Sequence, residues 1–142
     1  MTSNEGRDDC VFCQLGEVSE GGQLHGTDVI VAYLDEELIA LIPTERLGVL
    51  LAPREHAEAL FDKPGLPATI LGPLRQLVKQ VKSFYGVEEA RIQPITDFAG
   101  ATGHLLYQVV PVLSGEEVRS DTMTLAAEVA ETLRQHAARR RN

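Results

Sequence analysis

No stretch of this sequence approaches the roughly 20 consecutive apolar residues that a helix needs to cross a bilayer, which excludes a membrane span. It begins MTSNEGRDD, polar and acidic, with no apolar segment behind it to act as a secretory signal. The expected location is therefore the cytoplasm. Basic residues are scarce, 13 against 21 acids, for a net charge of −8. Such a field repels phosphate backbones, so nucleic acid is not an expected partner, and without an apolar span neither is a membrane. The one basic cluster, RQHAARRRN at the end, reads as solvated cations favoured at a helix C-terminus. Cysteine is limited to Cys10 and Cys13, spaced CVFC, and two cysteines cannot build a disulfide framework. In a cytosolic chain that spacing points to a metal or a redox pair, and alone it is a weak signal.

What is present is ordinary for a globular protein: 44% hydrophobic and 24% charged residues in 142, enough for one domain with a real core. Residues 1–9 read as disordered, 10–138 as a single domain and 139–142 as a basic tail. Two strand-like runs, VIVAYL and ELIALI, flank an acidic turn at Asp35-Glu36-Glu37, and GVLLAP forms a third. PREHAEALF reads as a strand end followed by a short helix. Apolar residues at Leu71, Leu74, Leu77, Val78, Val81 and Phe84 give a helical stripe, with Pro67 or Pro73 marking its start and Gly86 its stop. ARIQPIT and HLLYQVVPV read as further strands around a loop, DFAGATG. A last helix, from about Thr122 to Ala138, is striped by Leu125, Val129 and Leu133. The fold class is α+β, an antiparallel sheet of about five strands with two main helices.

The histidines are His25, His56, His104 and His136. His25 falls in the glycine-rich segment EGGQLHGTD and reads as loop, and His136, in the basic tail, as a surface residue. His56 and His104 sit at the edges of predicted strands. With Cys10 and Cys13 they make a Cys2His2 set of the kind that closes a tetrahedral structural zinc site. The spacing after Cys13 is far too long for a local finger, so the set closes only if the two histidines lie on neighbouring strands. The plainer reading is two reduced cysteines and two unrelated histidines.

From Cys10 to Pro111 the chain resembles the histidine triad (HIT) superfamily. CVFC resembles the N-terminal cysteine pair of its zinc-containing branches, and DVIVAYLDEELIALIP the paired strands that follow. GVLLAPREH is similar to the strand ending in proline, a basic residue, glutamate and histidine. GHLLYQVVP occupies the place of the triad strand. The resemblance implies a HIT-like fold, a homodimer paired through the long helix and the sheet edge beside it, and zinc held by Cys10, Cys13, His56 and His104.

The same resemblance puts the chemistry in doubt. The middle triad histidine, which attacks the α-phosphorus of a nucleotide, is replaced by Leu106, and leucine has no lone pair to donate. The third position is Gln108. The serine that contacts phosphate is matched by Ala101, its neighbouring glutamine by Gly100, and the acid that holds the ribose by Ala40, with Asp35 nearby. Strand alternation puts His104, Leu106, Gln108 and Val110 on one face and Tyr107 on the other, where core or interface is its expected role.

Two classes of function follow. The first is a non-catalytic, zinc-stabilised HIT-like protein whose old pocket binds a small molecule or a partner. The second is a repurposed enzyme with a pocket of Leu106, Gln108, Thr102 and Asp97, joined by Thr96, in which Asp97 is the candidate general base. An aspartate in TDFAG is more simply a turn cap. A nucleotide hydrolase with a displaced nucleophile is the least favoured reading. A zinc ion with four protein ligands leaves no position for an activated water, which disfavours metal catalysis.

Overall fold

The computed structural model describes residues 22, 29–43, 47–54, 56–98, 101–113 and 122–141. Five strands, β1 (Val29–Leu34), β2 (Leu38–Pro43), β3 (Val49–Pro53), β4 (Ala90–Phe98) and β5 (Ala101–Pro111), form one antiparallel sheet in the order β1-β2-β3-β5-β4. Two helices, α1 (Leu66–Tyr85) and α2 (Thr122–Arg141), complete the expected α+β architecture. Both helices pack on one face of the sheet and against each other.

Local chemistry explains the elements. The β1–β2 turn closes on Asp35, whose Oδ1 accepts the N–H groups of Glu37 at 2.7 Å and Leu38 at 2.8 Å. Its Oδ2 accepts the Tyr33 hydroxyl at 2.6 Å, so the carboxylate is consumed by the turn. Helix α1 starts at Leu66 with Pro67 in its first turn, where a missing N–H costs nothing. It stops at Gly86, in the left-handed region at φ 68°, while Val87 N–H donates to the Lys82 carbonyl at 3.0 Å. Pro73 lies inside the helix rather than at its start.

The α1 stripe is rotated from the expected one. The buried positions are Leu66, Ile70, Pro73, Leu74, Leu77, Val81 and Tyr85, whereas Leu71 is 49% exposed and Val78 and Phe84 are half-buried. Steps of three and four from Ile70 keep one face on the sheet, and a helix starting at Leu66 places Leu71 outside it. No short helix follows His56. Residues 58–65 form turns instead, because the Asp62 carboxylate takes the N–H groups of Glu58 and Ala59 at 3.2 and 3.0 Å. The final helix runs to Arg141 rather than about Ala138, with Leu125, Val129 and Leu133 fully buried as its stripe requires.

Each face of the sheet carries its own cluster. The helix face includes Tyr33, Ala40, Val49, Leu51 and Val109, packed under Leu74, Leu77 and Leu133. The second face gathers Val29, Val31, Ile39, Leu41, Leu50, Ala52 and Leu106. Gly48, at φ 103°, lets the chain enter β3 against the Val109 carbonyl, where any Cβ would collide with backbone. Its N–H donates to the Tyr85 hydroxyl at 3.0 Å, tying β3 to the end of α1.

Candidate functional site

The condition for a shared histidine site is met by strand order. Strand β5 pairs with β3, with Leu51 opposite Tyr107 and Leu50 opposite Gln108. Beyond Pro53 the chain stays beside β5, where Leu105 N–H donates to the Ala57 carbonyl at 2.7 Å. His56 and His104 thereby come together, rings edge to face with centroids 5.0 Å apart. His104 is completely buried, and its Nε2 lies 2.7 Å from the Pro53 carbonyl oxygen.

A carbonyl can only accept, so Nε2 carries the hydrogen and Nδ1 the lone pair of the neutral ring. A histidine that donates from one nitrogen to a backbone carbonyl while offering the other to a metal is the usual ligand arrangement. Burial lowers the His104 pKa from its ordinary value, the Pro53 bond opposes this, and His56 adds to the lowering. A neutral imidazole is the form that ligates. Cys10 and Cys13 lie outside the described residues, and among those described no group of three or more metal-ligating side chains occurs.

Alternation along β5 holds. His104, Leu106 and Gln108 belong to the second face, while Leu105, Tyr107 and Val109 face the helices. Leu106 is completely buried, in a cluster with Leu50, Ala52 and Ile39, and its register partner is Ile95. Gln108 is 7% exposed, between Leu50 on β3 and the exposed Gln93 on β4. Tyr107 is half-buried on the helix side, where burial raises its pKa.

Other expected site residues fall elsewhere. Ala40 lies opposite Leu51 on the helix face, so whatever side chain stood there would point away from Leu106. Asp97 and Thr102 pair with each other, as do Phe98 and Ala101, so most of the expected loop is the end of a hairpin with a bulge at Thr96. For these residues the structure describes the backbone pairing alone. His136 is half-buried rather than superficial, its ring seated over Gly72 of α1. It lines a cavity of about 300 Å³ on the helix side with Glu37, Pro73 and Leu133, remote from the second face. Gln93 is a neighbour of Gln108 outside the expected site. Only the β4–β5 register, which no local pattern encodes, places it opposite Gln108.

No family model and no curated protein matches the sequence. Solved structures do match in fold. A Zn-bound histidine triad family protein from Mycobacterium smegmatis superposes with a TM-score of 0.58 at 19% identity, covering 93% of this chain and 98% of that one. A hypothetical histidine triad nucleotide-binding protein from Sulfolobus tokodaii gives 0.62 at 17% identity, over 89% and 93%. A Hit-like protein from Bartonella henselae involved in cell-cycle regulation gives 0.53 at 17%, over 75% and 85%. The fold of this chain is that of the histidine triad proteins.

Proposed function

We propose that this chain is a zinc-stabilised protein of histidine triad fold that binds a small molecule or a partner and does not perform nucleotidyl transfer. The observation that carries the reading is Leu106. It takes the middle triad position, completely buried among aliphatic side chains, where a nucleophile would need a lone pair and access to substrate. Cys10, Cys13, His56 and His104 would hold the zinc. The adjacency of the two histidines and the Pro53 bond that orients His104 support this, as does a Zn-bound protein of the same fold. Bound there, zinc supplies a crosslink between the N-terminal segment and the sheet. The protein's own part is to orient the His104 ring through Pro53 and to keep water from it by burial.

A second reading, a repurposed enzyme on the same face, is favoured by the buried amide of Gln108 beside Leu106; Thr102 and Asp97 would complete its pocket. A homodimer is part of the proposal. Strand β4 is a sheet edge, with Ile92 43% exposed on the helix side, and Leu71 of α1 is 49% exposed. Pro94 in the middle of β4 has no N–H to offer, so such a contact would rest on side chains more than on a continuous ladder.

The deciding experiment incubates the purified protein with nucleoside phosphoramidates and dinucleoside polyphosphates and follows turnover, together with mass spectrometry for a phosphorus–histidine adduct. No turnover and no adduct are expected, with one zinc per chain by elemental analysis of the same sample. Turnover that survives contaminant controls would overturn the reading. For the dimer, light scattering giving a mass near 15.5 kDa at high concentration would count against it.

A further inference from the structure

We infer that the cavity between the β1–β2 turn and the two helices is a binding site for a small organic cation, an ammonium group carried on a compact apolar body. The site lies on the helix side of the sheet and depends on neither the proposed zinc nor the second face. Its volume of about 300 Å³ is at the lower end of those that hold small molecules, so a ligand of this class has room. Asp35, Glu36 and Glu37 of the turn form one rim, while Leu38, Pro73 of α1 and Leu133 of α2 supply the apolar wall. The apolar residues are buried and Glu36 and Glu37 are exposed, so the lining grades from apolar to acidic toward solvent.

The walls are held in place before any ligand arrives. Two backbone N–H groups and the Tyr33 hydroxyl donate to the Asp35 carboxylate, and Arg54 Nη1 donates to the Asp35 carbonyl at 2.8 Å. A preformed site spends little of its binding energy on ordering. His136 forms a further wall, and its ring is seated by the missing side chain of Gly72, where a Cβ would lie 2.8 Å from Cε1. Charge then selects the ligand. The donors on the Asp35 carboxylate are neutral and leave its charge in place, and Arg54 is not among the lining residues. An anion would meet three carboxylates in a chain whose net charge is −8. A bare metal ion is matched no better, since among the described residues no three His, Cys, Asp or Glu side chains gather as ligands. An ammonium group at the exposed carboxylates keeps part of its water while its apolar body covers Leu38, Pro73 and Leu133.

The test titrates the purified full chain with phenethylamine, 2-phenylethanol and phenylacetate, which share one body and differ in charge. Binding is followed by NMR through the backbone amides of Glu37 and Leu38 and the ring signals of His136. Phenethylamine is expected to move all three sets and to bind about tenfold or more tighter than 2-phenylethanol, with phenylacetate weakest. The double variant Glu36→Gln, Glu37→Gln is expected to lose that preference. Gly72→Ala changes no charge and suits a helix, but its methyl must displace the His136 ring, so it is expected to weaken phenethylamine binding several-fold. Equal binding of the three probes, or signals that move only elsewhere, would overturn the site. Phenethylamine binding unchanged in Gly72→Ala would reduce it to diffuse attraction by an acidic surface and overturn it too. None of these outcomes bears on the zinc or on the absence of nucleotidyl transfer, which the phosphoramidate assay tests separately.

Discussion

Replacing Leu106 with histidine rebuilds the attack position of a triad strand, and the structure says what that costs. The leucine is completely buried, packed with Leu50, Ala52 and Ile39. Full burial of a leucine side chain is worth about 1.5–3 kcal/mol. An imidazole in its place would leave a ring nitrogen without a partner, at about 1–3 kcal/mol more. Leu106→His should therefore lose about 3–5 kcal/mol, a large part of the roughly 5–15 kcal/mol that holds a domain of this kind. With a urea slope of about 2 kcal/mol/M, the unfolding midpoint falls by about 2 M. The assay pairs urea unfolding, read by circular dichroism, with mass spectrometry after exposure to a nucleoside phosphoramidate. No phosphorus–histidine adduct should form, because a nucleophile without a positioned substrate forgoes up to about 7–11 kcal/mol of orientation. A variant that unfolds within about 1 kcal/mol of wild type would show that Leu106 is not packed as described. A well-folded variant that accumulates the adduct would refute the whole argument.

Gly48→Ala should cost about 3 kcal/mol or more in thermal or urea unfolding, since it combines a positive φ with a collision at the Val109 carbonyl; a neutral substitution would mean that β3 enters the sheet differently. Burial raises the Tyr85 pKa, with the Gly48 N–H bond opposing, so the folded state favours the neutral phenol. Its contribution is complete below the unfolded value near 10 and is lost as pH rises through the higher folded value, so Tyr85→Phe should flatten the alkaline decline of stability. The same variant leaves the Gly48 N–H without its acceptor and should cost about 1–3 kcal/mol at neutral pH. His56→Ala should release the proposed zinc and lower stability by several kcal/mol, read by elemental analysis and unfolding; a metal-free wild type with full stability would remove the zinc.

Much of the candidate site could be read one residue at a time. Alternation alone grouped His104, Leu106 and Gln108 and set Tyr107 apart, because a strand has a period of two wherever it sits. The β1–β2 hairpin around Asp35 and the Leu125–Val129–Leu133 stripe were equally local, and both are present. Ala40 shows the limit of such reading. The resemblance matches it to a ribose contact, but the β2–β3 register turns it toward the helices. The segment DFAGATG reads as loop in the sequence, yet Asp97 and Thr102 pair across the end of a long hairpin.

By itself, the sequence determined the existence of five strands and two long helices and which side chains share a face of β5, since periodicity is written into neighbouring residues. It also determined that no lone pair stands at position 106. Tertiary structure decided that β3, not β4 alone, lies beside β5, which brings His56 within 5.0 Å of His104. It decided that Leu106 is sealed in an aliphatic cluster and that the amide of Gln108 is buried beside it. Those facts depend on strand order and register, which are chosen by contacts between residues some fifty positions apart rather than by any local pattern.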